Sequence, residues 1–277
     1  MKRELRRALL QGRRRPKIFG AGSPTAIRGD GFEFAELREY VAGDDPRRID
    51  WAATARAGEL QMRVILEDVA LTLAAIVDTS QSMKLGRARS MESAAREGMR
   101  TWYDAAETDD RCVRIVGRKV YAPAALRGAR SALFCANAAG DEPFALQASL
   151  NVAQYALTPG AALLVVSDFY DLTDADEPLL RGLAGRLDCT ALIARDPWYD
   201  GLPLRGFVTI RDAETGAQRR VFIGKLERRR YSEATIVRAS ALAKRFEKAG
   251  WRSAPLDEKD GARSLYAAFG IAGMPHD

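Results

Sequence analysis

The chain has 277 residues, 47% of them apolar and 29% charged, ordinary proportions for a globular protein that can bury a full core without disulfides or structural metal. Its formal charge of +6 invites a nucleic-acid reading, yet residues 1–20 carry eight Lys/Arg against one acid, Glu4, so the remainder is close to neutral. The single histidine, His276, lies one residue from the C-terminus, which excludes a catalytic triad or zinc site built on histidine.

The basic leader, from Lys2 to Lys17, reads as a solvated arm, with attraction to phosphates or an acidic surface as the alternative. Its apolar stretch "ALL" is too short for a secretory signal, and nowhere does the chain hold the 18 or so consecutive apolar residues of a spanning helix. Cys112, Cys135 and Cys189 are odd in number, far apart and set among apolar residues. They predict buried structural thiols and a cytoplasmic compartment. Residues 1–66 hold turn formers every few positions, as in "GAGSPTAIRGDGFEF" and "VAGDDPRRIDW", and predict short strands and loops over long helices. The domain boundary falls here: a leader and signature segment over 1–66, packing on a main domain over 67–277.

From residue 69 onward strands and helices alternate. "VALTLAAIVD" (69–78) reads as a buried strand. Residues 86–107 follow with Met91, Ala94, Ala95, Met99 and Trp102 at helical steps. "RCVRIVG" (111–117) is a second strand, and the Ala-rich stretch to Gly140 shows little pattern. A helix over 143–157, the strand "AALLVVSD" (161–168), a helix over 177–187 and the strand "CTALIARD" (189–196) come next. "RGFVTIRDAETGAQRRVFIG" reads as a hairpin turning at "ETG". A long amphipathic helix over 233–250, a strand in "WRSAPL" and a helix in "GARSLYAAFG" complete the chain. Strands joined by helical crossovers predict an α/β fold with a mostly parallel sheet and helices on both faces.

In such sheets ligands sit outside the carboxyl ends of the strands, where the strand order switches. Two predicted strands end there in acids: Asp78 in "IVDTSQS" and Asp168 in "VVSDFYD". Alternate residues of a loop leaving a strand can share one side, so Asp78, Ser80 and Ser82 are able to converge. Carboxylate and hydroxyl oxygens form a hard shell suited to Mg²⁺ or Mn²⁺. A helix cap or loop hydrogen bond is the plain alternative for either acid. No Gly-rich phosphate loop and no "GK[ST]" occurs. A serine nucleophile lacks a histidine base, leaving only Lys84 close by. A haloacid-dehalogenase-type phosphatase using Asp78 is the enzymatic alternative, but the position two residues on, where such enzymes need an acid, is Ser80. Nucleic-acid binding through the basic leader is a third reading.

"VDTSQSM" resembles the DxSxS metal-ion-dependent adhesion site of von Willebrand factor A domains. The longer stretch "GDGFEFAELREYVAGDDPRRIDWAATARAGELQMR", Gly29 to Arg63, is similar to the signature of the bacterial "domain of unknown function 58" family, which places it just before a von Willebrand A-like domain. With "SDF" at Ser167–Phe169 the resemblance spans most of the chain. It implies a Rossmann-like fold and a divalent cation held by Asp78, Ser80 and Ser82, with Asp168 direct or through water. A partner's carboxylate would complete the shell. It further implies a non-enzymatic adaptor role beside a MoxR-type AAA+ ATPase or its client. The sequence departs from the family pattern where a Thr ligand is usual: "DEPFALQASL" puts Phe144 near that place, with Asp141 or Glu142 as substitutes by proximity. In the signature segment, alternating charges around aromatic residues fit internal pairing, and Arg47, Arg48, Asp50 and Arg56 fit a docking surface equally well.

Overall fold

The computed structural model describes residues 1–14, 33–41, 46–66, 70–140, 143–212 and 215–271. The chain forms two compact units, a larger one of residues 1–19 and 71–277 and a smaller one of residues 20–70. The larger unit contains α1 (Lys2–Arg14). The smaller unit contributes β1 (Glu33–Glu39), α2 (Trp51–Ala57) and β2 (Gln61–Leu66). The larger unit resumes with β3 (Thr72–Val77), α3 (Met91–Asp104), β4 (Arg111–Val116), β5 (Lys119–Tyr121), α4 (Gly128–Asn137) and α5 (Leu146–Ala156). It continues through β6 (Ala162–Ser167), α6 (Glu177–Arg186), β7 (Asp188–Ala194), β8 (Gly206–Arg211), β9 (Gln218–Ile223), α7 (Lys225–Lys248), β10 (Arg252–Leu256) and α8 (Gly261–Ala268).

The central sheet has the order β10-β7-β6-β3-β4-β5, parallel throughout except for the edge strand β5. Its inner strands β3, β4, β6 and β7 are buried on both faces, as continuous apolar runs require. Leu73, Ala75 and Val77 of β3 point with Leu164 and Val166 of β6 into a core that holds Trp102 of α3, Cys135 of α4 and Leu265 of α8. Ala74 and Ile76 point with Leu163 and Val165 into a second core that holds Leu150, Leu183 and Phe246 of α5, α6 and α7. Where α3 crosses the start of α8, Gly98 faces the Gly261 carbonyl, and a Cβ added at Gly261 would collide with the Ala94 carbonyl oxygen. The crossing is that close because both positions lack side chains.

The chain leaves β3 for β4 on one side, then returns through β6, β7 and β10 on the other. The strand order therefore switches between β3 and β6, which makes their carboxyl ends the crevice of this sheet.

Three segments depart from expectation. The described part of the basic leader, Lys2–Arg14, is a helix and not a solvated arm: Leu5 and Leu9 are fully buried, and the Arg6 guanidinium pairs with buried Asp110. Two apolar residues one turn apart sufficed to seat it, a signal masked by the surrounding charge. The Ala-rich stretch forms β5 and α4, whose buried side is built from Gly128, Ser131, Ala132 and Cys135, residues too small to mark a periodicity. Helix α7 begins eight residues before the predicted start, capped by Gly224, whose N–H donates to the Glu227 carboxylate at 2.9 Å.

In the smaller unit β1 and β2 pair antiparallel, with a register shift between Phe34 and Glu36. Asp50 caps α2, accepting from the Ala52 and Ala53 N–H groups at 3.0 and 2.9 Å. Gly58, at φ +76°, closes that helix in the left-handed conformation.

Candidate functional site

The Asp78 N–H donates to the Val166 carbonyl at 2.8 Å, carrying the β3–β6 ladder one residue past the strand. Val77 lies opposite Val166, so Asp78 and Ser167 are cross-strand neighbours pointing to the same face of the sheet. There the Ser167 hydroxyl donates to Asp78 Oδ2 at 2.6 Å. Asp78 Oδ1 accepts the Ser80 N–H at 2.8 Å, which bends the loop back over the strand end. The Ser80 and Ser82 hydroxyls lie 2.9 Å apart, and Ser82 donates to Asp168 Oδ2 at 2.6 Å. A hydrogen-bonded series thus runs Asp78–Ser80–Ser82–Asp168 across the two strand ends, its first link made through the Ser80 N–H.

The turn after β6 is held in a costly shape. Phe169 adopts φ +56°, the left-handed region a bulky residue rarely enters. Its ring is buried and packs edge-on against Phe246 of α7 at 4.8 Å. Its N–H donates to Ser167 Oγ at 3.0 Å. Burying Phe169 leaves Asp168 partly exposed, on the side of Ser82. Backbone strain of this sort concentrates where a turn must aim a functional group. Arg238 of α7 braces the turn, donating to the Asp168 carbonyl at 2.9 Å with its guanidinium 3.7 Å above the Tyr170 ring.

Asp78 is buried, and burial is the chief cause that raises its carboxyl above the usual range. Hydrogen bonds from Ser167 and Ser80 oppose the shift, and the nearby Asp168 charge adds to it. The four residues predicted at the strand ends offer two carboxylates and two hydroxyls and no nitrogen or sulfur ligand, the chemistry of a hard cation. Among the described residues no group of three or more His, Cys, Asp or Glu gathers to hold a metal, here or elsewhere; this site brings two carboxylates together.

The structure brings together all four residues predicted at the strand ends. Phe144, which the resemblance puts near the usual Thr ligand, packs against the second core, and Asp141 and Glu142 lie outside the described residues. Of the predicted docking residues, Asp50 uses its carboxylate to cap α2. Arg56 returns its Nε to the Ala52 carbonyl at 3.2 Å. Arg47 is exposed, and the Arg48 side chain lies outside the described residues. Two residues of the site escaped sequence reasoning. Ser167 carried a signal, a hydroxyl inside an apolar strand beside the acid. Arg238 carried none, being brought in by α7 from 70 residues away.

The family model described as "Protein of unknown function DUF58" matches residues 36–241. The chain belongs to this family. Its relatives include the uncharacterized proteins Rv1480 of Mycobacterium tuberculosis and Mb1516 of Mycobacterium bovis. Each is 29% identical over 237 residues, covering 81% of this chain and 74% of theirs. Among solved structures the chain is similar to BatB from Bacteroides thetaiotaomicron, at a TM-score of 0.45 and 14% identity over 73% of this chain and 98% of that one. It is also similar to an aerotolerance-related membrane protein from Bacteroides fragilis with multiple mutations to serines, at a TM-score of 0.43 and 16% identity over 73% and 96%. At these TM-scores the likeness is loose. Among the described residues no helix is long and apolar enough to cross a membrane.

Proposed function

We propose that this DUF58 protein is a non-enzymatic interaction module that captures a partner's carboxylate through a divalent cation, Mg²⁺ or Mn²⁺. Asp78, Ser80, Ser82 and Asp168 would hold the ion. The observation that supports this most is the hydrogen-bonded series of Asp78, Ser80, Ser82 and Asp168 across the switch point of the sheet, ending on an Asp168 aimed by a strained turn. Bound there, the cation supplies a positive charge that an incoming carboxylate can neutralise, which makes capture reversible by chelation. The protein's own part is to orient the donors. Ser167 and the Ser80 N–H fix both oxygens of Asp78, and Arg238 and Phe169 fix Asp168. Two carboxylates alone leave the site short of charge and coordination, which a partner's acid would complete.

The MoxR-type AAA+ ATPase, or a client of it, is the partner that the sequence resemblance suggests, and the module then acts as an adaptor in the cytoplasm. Phosphatase chemistry at Asp78 lacks its proton donor, because Ser80 stands in that position and its hydroxyl is engaged with Ser82.

The test is calorimetric titration of the wild-type chain and Asp78→Ala with Mn²⁺ and with Mg²⁺, followed by a pull-down of the co-expressed ATPase with and without chelator. Saturable binding to the wild type that Asp78→Ala abolishes is expected. Equal affinity in both proteins sinks the site assignment, and capture of the ATPase that persists in chelator sinks the metal's role.

A further inference from the structure

Beyond the sheet, β8 and β9 form a hairpin of their own, outside the central sheet. A lone two-stranded hairpin is marginal in water without something to pack on. At its base one face of this hairpin is partly covered: Ile223 is buried, and Val208 and Val221 on the same face are half-buried. The other face presents Phe207 and Phe222, paired in the ladder and packed edge-on at 5.1 Å, yet 69% and 57% exposed. Arg220 extends over the Phe207 ring at 5.3 Å.

The first half of α7 continues the pattern. Leu226, Arg230, Glu233 and Val237 recur at i, i+4, i+7 and i+11, with Arg229 and Ile236 beside them. All six face solvent. Leu226, Ile236 and Val237 are 54%, 64% and 67% exposed, whereas the opposite side of the same helix buries Leu242 and Phe246. Residues 204–238 carry nine Lys/Arg against four Asp/Glu, so the neutral average of the body conceals a basic projection.

We propose that the outer face of the β8–β9 hairpin and the outward stripe of α7 form a docking surface for a segment of a partner protein that carries both carboxylates and apolar side chains. Charge complementarity selects an acidic occupant. Exposed aromatic and Arg side chains side by side are the composition of interface centres, and apolar groups this exposed on a single element mark a contact site. A second copy docking the same patch two-fold would oppose like charges. Nucleic acid fits less well. Bases stack on open aromatic faces, but the two phenyl rings are turned edge-on to each other, Arg220 covers one, and the stripe of α7 is aliphatic. This surface does not rest on the metal reading, because none of its residues belongs to the oxygen cluster, and its occupancy is independent of chelator.

The test measures fluorescence anisotropy of the full chain in EDTA with labelled 20-residue peptides. One carries Glu with Leu and Phe at helical spacing, and one is polyglutamate of the same charge. A 20-nucleotide oligo-dT and vesicles of phosphatidylglycerol and phosphatidylcholine are run beside them. The mixed peptide binds about tenfold or more tighter than polyglutamate. Phe207→Ser/Phe222→Ser and Arg229→Glu/Arg230→Glu each weaken it about tenfold or more. The second pair lies on an exposed helix face, so unchanged circular dichroism keeps it decisive even if the first pair loosens the hairpin. The proposal is overturned if the mixed peptide binds no better than polyglutamate, or if Arg229→Glu/Arg230→Glu leaves its affinity unchanged. It is equally overturned if these variants abolish binding of oligo-dT, of vesicles or of a second copy in sedimentation, while the peptide stays unbound.

Discussion

The Ser82 hydroxyl donates to Asp168 Oδ2 at 2.6 Å, tying the loop after β3 to the strained turn after β6. A hydroxyl bonded to a carboxylate is a strong, charge-assisted contact, and here it spans the crevice between two strands that are remote in sequence. Ser82→Ala removes the tie without unseating either strand. Its cost in stability is about 1 kcal/mol, read from the urea midpoint. On the proposed function, its Mn²⁺ affinity in calorimetry falls about tenfold or more, because one oxygen donor is gone. A full loss of fold with intact metal affinity per folded molecule would show the bond to be structural only.

Ser167 has the opposite balance. Its hydroxyl donates to Asp78 Oδ2 and accepts the Phe169 N–H, and all three groups are buried. Ser167→Ala strips one partner from a buried carboxylate and one from a buried amide. A destabilisation of about 1–3 kcal/mol is expected, measured by chemical denaturation without metal. A cost below that of Ser82→Ala contradicts the assignment of Ser167 as the support of Asp78.

Much of this was legible in the chain, and the exceptions have physical causes. The β3 and β6 runs end in Asp78 and Asp168 because a buried strand stays apolar until it reaches the crevice, so the acids announced the strand ends. Spacing alone placed Ser80 and Ser82 with Asp78. The contact with Asp168 needed the strand order, which pairs β3 with β6 across an intervening β4 and β5. Arg238 and the basic projection of residues 204–238 were hidden for another reason. Arginines averaged over a neutral body leave no trace, and a helix shows which face is open only once the other is packed.

The leader helix supplies a test of packing. Asp110 is 1% exposed. It accepts the Leu71 N–H at 2.6 Å and the Glu107 N–H at 2.7 Å, and it pairs with Arg6 of α1. Asp110→Ala leaves two buried backbone donors without their acceptor, while Arg6 keeps its second partner, Glu107, at 2.8 Å; a loss of about 2–4 kcal/mol is expected. Arg96, by contrast, pairs with Glu92 one helical turn away on an exposed face. Arg96→Ala changes stability by about 0.5 kcal/mol or less. Equal effects of the two substitutions in thermal melts would refute the buried network around Asp110.

The cysteines carry the last prediction. All three are buried as free thiols. Burial, with Cys135 and Asp110 near, pushes the Cys112 thiol up to about 12, and burial pushes Cys135 up to about 11. The thiolate is the reactive form, so neither residue reacts with Ellman's reagent in the native protein at about pH 8, while both react in denaturant. The same shifts set a pH dependence. Between the ordinary thiol value of about 9 and these raised values, the unfolded chain has released protons that the folded chain still holds. Stability therefore falls as pH rises through that window. Cys112→Ala/Cys135→Ala removes two of the groups responsible. Tyr103, whose hydroxyl burial also raises, continues to act in the same direction, so the slope of urea midpoint against pH becomes shallower but does not vanish. An unchanged slope in the double variant would place the alkaline loss of stability elsewhere.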